Sequence, residues 1–298
     1  MVARRRAARA LAWIAVVALV AAVGVGAVVV VLRSVDAARP VAQGCTADGF
    51  WLAPDQTENA ALIVGTTVRR GLPARAGTIG IATAMQESRM RAIDYGDRDS
   101  LGMFQQRPSQ GWGTPEQVMD LVYSTSIFFD TLVTVPGYTE MEVTEAAQAV
   151  QRSGFPDAYA QHEDLARAFA SSLTGWTEAG LSCTLHDVED TSGVPDAVTA
   201  RLERDLGLGS ATTVRLGADG VREVVVDLPM TDPASGDGDR LAWAVAQSAV
   251  ASASSTGAGR VAVGSSVWDR AGAESGWRAR TGADPVPARG QVLISAAR

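Results

Sequence analysis

The sequence predicts a mainly α-helical domain, preceded by one transmembrane helix and followed by a small α+β domain. Three observations predict this. An uncharged apolar run extends from Ala10 to Leu32, longer than the ~20 residues a helix needs to cross a bilayer. Between Thr57 and Leu173, apolar residues recur at helical spacing around one polar segment. Past Cys183 the composition shifts to β-branched runs alternating with helical ones.

Residues 1–33 carry Arg4, Arg5, Arg6, Arg9 and Arg33 and no acid. Positive charge stays on the cytoplasmic side, so this part reads as a cytoplasmic tip and anchor with the rest of the chain outside. The apolar run also exceeds the ~7–15 residues of a cleaved signal's core. A single-pass protein of the cell membrane, held through Ala10–Leu32, is the expectation. Residues 34–44 read as a linker.

Residues 45–183 read as the helical domain. Thr57–Arg70 is apolar at Ala60, Ala61, Val64 and Val68 and stops at Gly71. Pro73 opens a second helix, Ala74 to Arg89. Residues 91–113, rich in Gly, Asp, Pro and Gln, read as an ordered loop or small sheet. Thr114-Pro115-Glu116-Gln117 is a helix-start signal, and that helix extends to Val133. Glu145–Gln151 and Pro156–Leu173 complete the set. Residues 184–193 are acidic and small, a second linker. Residues 194–298 form the α+β domain, with helices at Pro195–Leu206 and Asp239–Ala253 and strands at Val221–Leu228, Arg260–Val263 and Gln291–Ser295.

Charge excludes several functions. The chain has 26 basic and 33 acidic residues. Five of the basic ones precede Ser34, so the remainder balances 21 against 33, or -12. An acidic body argues against nucleic acid as a partner, since phosphate binding needs a basic face. The absence of lysine excludes Schiff-base catalysis and a P-loop. Two Cys and two His do not supply a zinc-finger-type set, and neither metal nor cofactor is expected. Outside the cytoplasm, Cys45 and Cys183 are expected to pair and close the helical domain at its ends. The alternative is two separate buried thiols.

The informative stretch is Ile81–Gln106. Glu87 stands at the end of an apolar helix, followed by Ser88, a loop bearing Asp94, Asp97 and Asp99, and then Leu101-Gly102-Met103-Phe104-Gln105. Glycosidic cleavage needs an acid that still holds its proton near neutral pH. A carboxyl desolvated among apolar groups does so. A second carboxylate can activate water or stabilise positive charge.

Glu87-Ser88 followed by Gly102-Met103-Phe104-Gln105 resembles the lysozyme-like superfamily of lytic transglycosylases and goose-type lysozymes. Tyr95-Gly96-Asp97-Arg98 is similar to the Trp-Gly-Asp-Arg of the goose-type group. Val150-Gln151-Arg152-Ser153-Gly154 stands where that superfamily carries Tyr-Asn-Ala-Gly, with Val150 and Gln151 in place of Tyr and Asn. The resemblance covers about residues 50–182. It implies Glu87 as catalytic acid and Asp97 as second carboxylate, with Ser88, Gln105, Gln151 and Tyr159 on the substrate side. Gln105 either bonds sugar groups or braces its loop, and Tyr159 would substitute as a wall. Trp112 and Tyr123 either stack on sugars or belong to the core. Trp268 and Trp277 offer the same choice in the last domain, where no nucleophile–base set is found.

The implied function is a membrane-tethered extracytoplasmic peptidoglycan glycosidase, either lytic transglycosylase or lysozyme-type muramidase. It would cleave the β-1,4 bond between N-acetylmuramic acid and N-acetylglucosamine, with glycan strands as partner. The alternative is a non-catalytic lysozyme-like binder or envelope scaffold.

Overall fold

The computed structural model describes Trp13 and residues 24–26, 42–155, 157–217, 220–229, 237–270 and 276–296. Strands β1 (Gly44–Ala47) and β2 (Phe50–Leu52) form a hairpin. Strand β3 (Leu181–Thr184) returns antiparallel to β1, giving the order β2-β1-β3. Cys45 lies directly opposite Cys183 in this register, and the two are joined by a disulfide.

Helix α1 (Pro54–Arg69) starts earlier than Thr57, because Pro54 opens it and the Gln56 side chain accepts the Ala53 N–H. α2 (Ala74–Ser88) carries Glu87 at its end. The helix expected from Thr114 to Val133 is two, α3 (Pro115–Met119) and α4 (Leu121–Leu132). Asp120 divides them: extended in backbone, it caps α4 by accepting the Tyr123 N–H at 2.7 Å. α5 (Val143–Gln151) and α6 (Glu163–Leu173) complete this part, α6 being preceded by a single 3₁₀ turn at Ala160–His162.

Beyond β3 come α7 (Val194–Leu206), β4 (Thr212–Leu216), β5 (Arg222–Asp227), α8 (Asp237–Ala251) and α9 (Ala253–Thr256). Strands β6 (Ala258–Val263), β7 (Ser266–Asp269), β8 (Arg278–Ala279) and β9 (Gln291–Ala296) finish an antiparallel sheet of order β4-β5-β9-β6-β7-β8. Trp268 is buried in its core, and the Trp277 indole donates to the Leu181 carbonyl at 2.8 Å. Both tryptophans therefore pack rather than present a face.

The expected fold class is corrected. A mainly α lysozyme-like domain behind one transmembrane helix does not describe this architecture, which mixes nine helices with two antiparallel sheets among the described residues. Spanning requires ~20 continuous apolar residues. Among the described residues no helix is long and apolar enough to cross a membrane. Apart from Trp13 and Gly24–Gly26, the run Ala10–Leu32 lies outside the described residues.

The change of composition at Cys183 is not a break in packing. Gln43–Arg298 forms one compact unit, and a single buried cluster extends from Cys45 to Ala296. Buried Gln247 of α8 donates to the Ser172 and Thr177 carbonyls and accepts the Leu181 N–H, which ties α8 to α6 and β3. α7 lies against α1 so closely that a Cβ on Gly65 would come within 2.8 Å of the Asp205 carbonyl oxygen. Only glycine permits that approach. Arg201 pairs with Asp205 within α7 and reaches across the contact to Glu58 of α1.

Candidate active site

Glu87 occupies the last turn of α2, and a sharp reversal of the chain sets its position. Arg89 and Met90 both adopt left-handed backbone, with φ 55° and 57°, which turns the chain back immediately after the helix. Two side chains of α1 hold that reversal. The Gln56 amide donates to the Arg89 carbonyl at 3.0 Å, and the Asn59 amide to the Met90 carbonyl at 2.7 Å. Gln56 and Asn59 escaped the sequence reading. The signal was present only as two amides spaced i, i+3 in the polar first half of the helix.

Within the polar segment 91–113, residues 101–106 form a tight hairpin turn in which Leu101 and Gln106 exchange backbone hydrogen bonds at 3.0 Å. Buried Met103 and Phe104 anchor it, the latter stacked on Phe128 at 4.5 Å. Gly102 is indispensable there. It has φ +78°, and a Cβ would stand 2.0 Å from the Val118 carbonyl oxygen. Two carbonyls of the hairpin tip are taken up by neighbours of the acid. The Ser88 hydroxyl donates to that of Met103, and the Gln151 amide to that of Phe104, both at 2.6 Å.

The Tyr159 hydroxyl donates to the Glu87 carboxyl at 2.7 Å, and the Gln151 side chain favours the charged form of the same carboxyl. Burial raises the Glu87 pKa above its ordinary 4.5, outweighing Tyr159 and Gln151, which favour the charged form. Burial and the Glu87 charge push Tyr159 far up as well, so the phenol remains a donor. Five of the seven non-glycine residues with positive φ among those described, Arg89, Met90, Arg98, Gln105 and Arg152, lie in the segments that build this site. Such concentrated backbone strain accompanies functional sites.

The other expected site residues take different places. Tyr159 is fully buried, a partner of the carboxyl rather than a wall. Ser88 also accepts the Arg91 N–H and thereby braces the turn. Gln105 donates to the Tyr95 and Gly102 carbonyls at 3.3 and 3.2 Å, which makes it a brace of the loop. Asp97 is 89% exposed and faces Arg98 at 3.9 Å. Asp99 is held by the Arg107 guanidinium and the Ser109 N–H, and these donors keep its carboxyl well below the usual range. Among the described residues, no second carboxylate hydrogen-bonds Tyr159 or Gln151.

Beside Gln151 opens a cleft of about 500 Å³ with Trp112, Ile127 and Val150 on its walls. A larger cleft of about 650 Å³ lies along α6, lined by Asp48, Asp164 and Arg167, and none of the expected site residues borders it. No protein-family model matches this chain, and no curated protein matches it closely enough to count as a relative.

Replacing Tyr159 by Phe keeps the ring and removes the donor. The carboxylate loses a stabilising bond, so the Glu87 pKa rises further. Activity that needs protonated Glu87 then persists to higher pH, and the alkaline limb of kcat/KM should move upward in the variant. An unmoved or downward-shifted limb would separate Tyr159 from the acid.

Proposed function

We propose that this chain cleaves the glycan strands of peptidoglycan at the β-1,4 bond between N-acetylmuramic acid and N-acetylglucosamine. The lysozyme-like resemblance of its Glu87-Ser88 and Gly102-Met103-Phe104-Gln105 segments supports that substrate. The observation that carries the reading is Glu87 itself: a half-buried carboxyl at a helix end, bonded to Tyr159 and kept protonated above its ordinary range by burial. Protonated Glu87 donates to the leaving glycosidic oxygen. The resulting carboxylate then takes a proton from the muramyl 6-hydroxyl as that oxygen attacks C1 of the same sugar. The products are an N-acetylglucosamine-ended strand and a 1,6-anhydromuramyl end, and Glu87 is protonated again.

The exposure of Asp97 favours this single-acid route over hydrolysis with a second carboxylate. The disulfide is consistent with work outside the cytoplasm. The test is the turbidity of purified peptidoglycan incubated with residues 43–298. The reading expects clearing, at an unchanged rate for Asp97→Asn. A suspension left turbid by a folded protein that still binds the glycan would favour the non-catalytic binder.

A further inference from the structure

Arg152 directly succeeds Gln151, whose amide donates to the Phe104 carbonyl of the loop that follows Glu87. It caps α5 in left-handed conformation, with φ 53°. Glycine is the ordinary residue at such a cap, so a side chain retained there carries a conformational cost. The arginine lines the cleft beside Gln151.

Its guanidinium is unused. Among the described residues, the guanidinium groups of Arg89 and Arg152 alone have neither an ion pair nor a hydrogen bond. The other described arginines are engaged by carboxylates, by a hydroxyl or by carbonyl oxygens. The setting is pointed in a chain of net charge -7, where carboxylates to pair with are plentiful. The cleft also has no carboxylate on its walls, only apolar groups (Trp112, Ile127, Val150) and neutral polar ones (Gln110, Thr131, Gln151) besides the arginine. An open apolar-sided groove with one uncompensated cation at its rim selects an extended ligand bearing a carboxylate and small apolar side chains.

We propose that this cleft, which Gln151 borders, is a second binding site, and that it takes the acidic peptide stem carried by the muramyl sugar, with Arg152 as the carboxylate-binding group. The inference rests on the glycan-strand reading above and deepens it: the preferred substrate is the peptide-bearing strand rather than the bare polysaccharide. A guanidinium binds a carboxylate through two parallel N–H···O bonds. The Trp112, Ile127 and Val150 walls receive the methyl groups of the stem. An acidic body would otherwise repel such a ligand, and a local cation offsets that repulsion.

Equilibrium binding to the full chain tests the proposal with two probes that lack the scissile bond. One is the N-acetylglucosaminyl-N-acetylmuramyl peptide; the other is chitobiose, which has no carboxylate. Arg152→Gln should weaken the peptide-bearing probe about tenfold or more, as loss of a charged hydrogen bond does, and leave chitobiose within about twofold. Arg152→Lys should recover part of the loss, and raised salt should weaken only the peptide-bearing probe. Equal losses for both probes, or none for either, would overturn the stem site while chitobiose binding by the parent left the glycan reading standing. A parent protein that binds neither probe would remove the glycan reading, and this inference with it.

Discussion

Glu87→Gln should lower the rate of glycan cleavage about 10²–10⁴-fold, the usual contribution of general acid–base catalysis, while the protein stays folded and still binds chitooligosaccharide. Glutamine keeps the shape and an acceptor for the Tyr159 hydroxyl, but carries no transferable proton. The stability effect has a definite sign. The folded-state pKa of Glu87 is raised above 4.5, so the folded protein retains a proton that the unfolded chain releases. Stability from this group is full below the unfolded value and is lost as pH rises through the folded one. At pH above the folded-state value the ionised Glu87 is a net cost, and there Glu87→Gln should melt no lower than the parent and preferably higher. A variant with parental activity, or one that fails to fold, contradicts the assignment.

Removing the disulfide should have the largest effect on stability. Cys45 and Cys183 are 138 positions apart, and a cross-link closing a loop of that size is worth roughly 5 kcal/mol in the chain-entropy account. For a unit of this size that corresponds to a fall in melting temperature of about 10–20 °C. Cys45→Ala with Cys183→Ala avoids leaving buried thiols. The bond also fixes the register of β1 against β3. The carbonyl of Leu181 in β3 receives the Trp277 indole, so loosening the strand loosens its hold on the second half of the chain. A double variant melting within a few degrees of the parent would mean that the sheet and core alone set the stability.

Much of the helical part was legible because its signals are local. Thr114-Pro115-Glu116-Gln117 does open a helix, with the Thr114 hydroxyl accepting the Gln117 N–H. Asp120, by contrast, reads as an interior residue until its side chain is seen capping the next helix. Strands β1, β2, β3 and β7 have three or four residues each, too few for a period-two pattern to emerge. Glu87 was visible as a carboxyl ending an apolar helix. Its partner Tyr159 lies 72 positions away, and no pattern in one sequence links the two. The same holds for Gln56, 33 positions from the Arg89 carbonyl it supports. Asp97 matched a motif, yet its exposure is a tertiary property that a motif does not encode. The division at residues 184–193 tracked composition, whereas the core tracks packing, and Gln247 joins the two sides through three hydrogen bonds.

One half-buried carboxyl, Glu87, is held to do all the acid–base chemistry of the site. The direct measurement is mass analysis of the soluble fragments released from purified peptidoglycan by the wild-type protein, with Glu87→Gln and Asp97→Asn alongside. Muramyl ends in the 1,6-anhydro form, released equally by Asp97→Asn and absent with Glu87→Gln, are the predicted result. Reducing muramyl ends that vanish with Asp97→Asn, or fragments still released by Glu87→Gln, would contradict it.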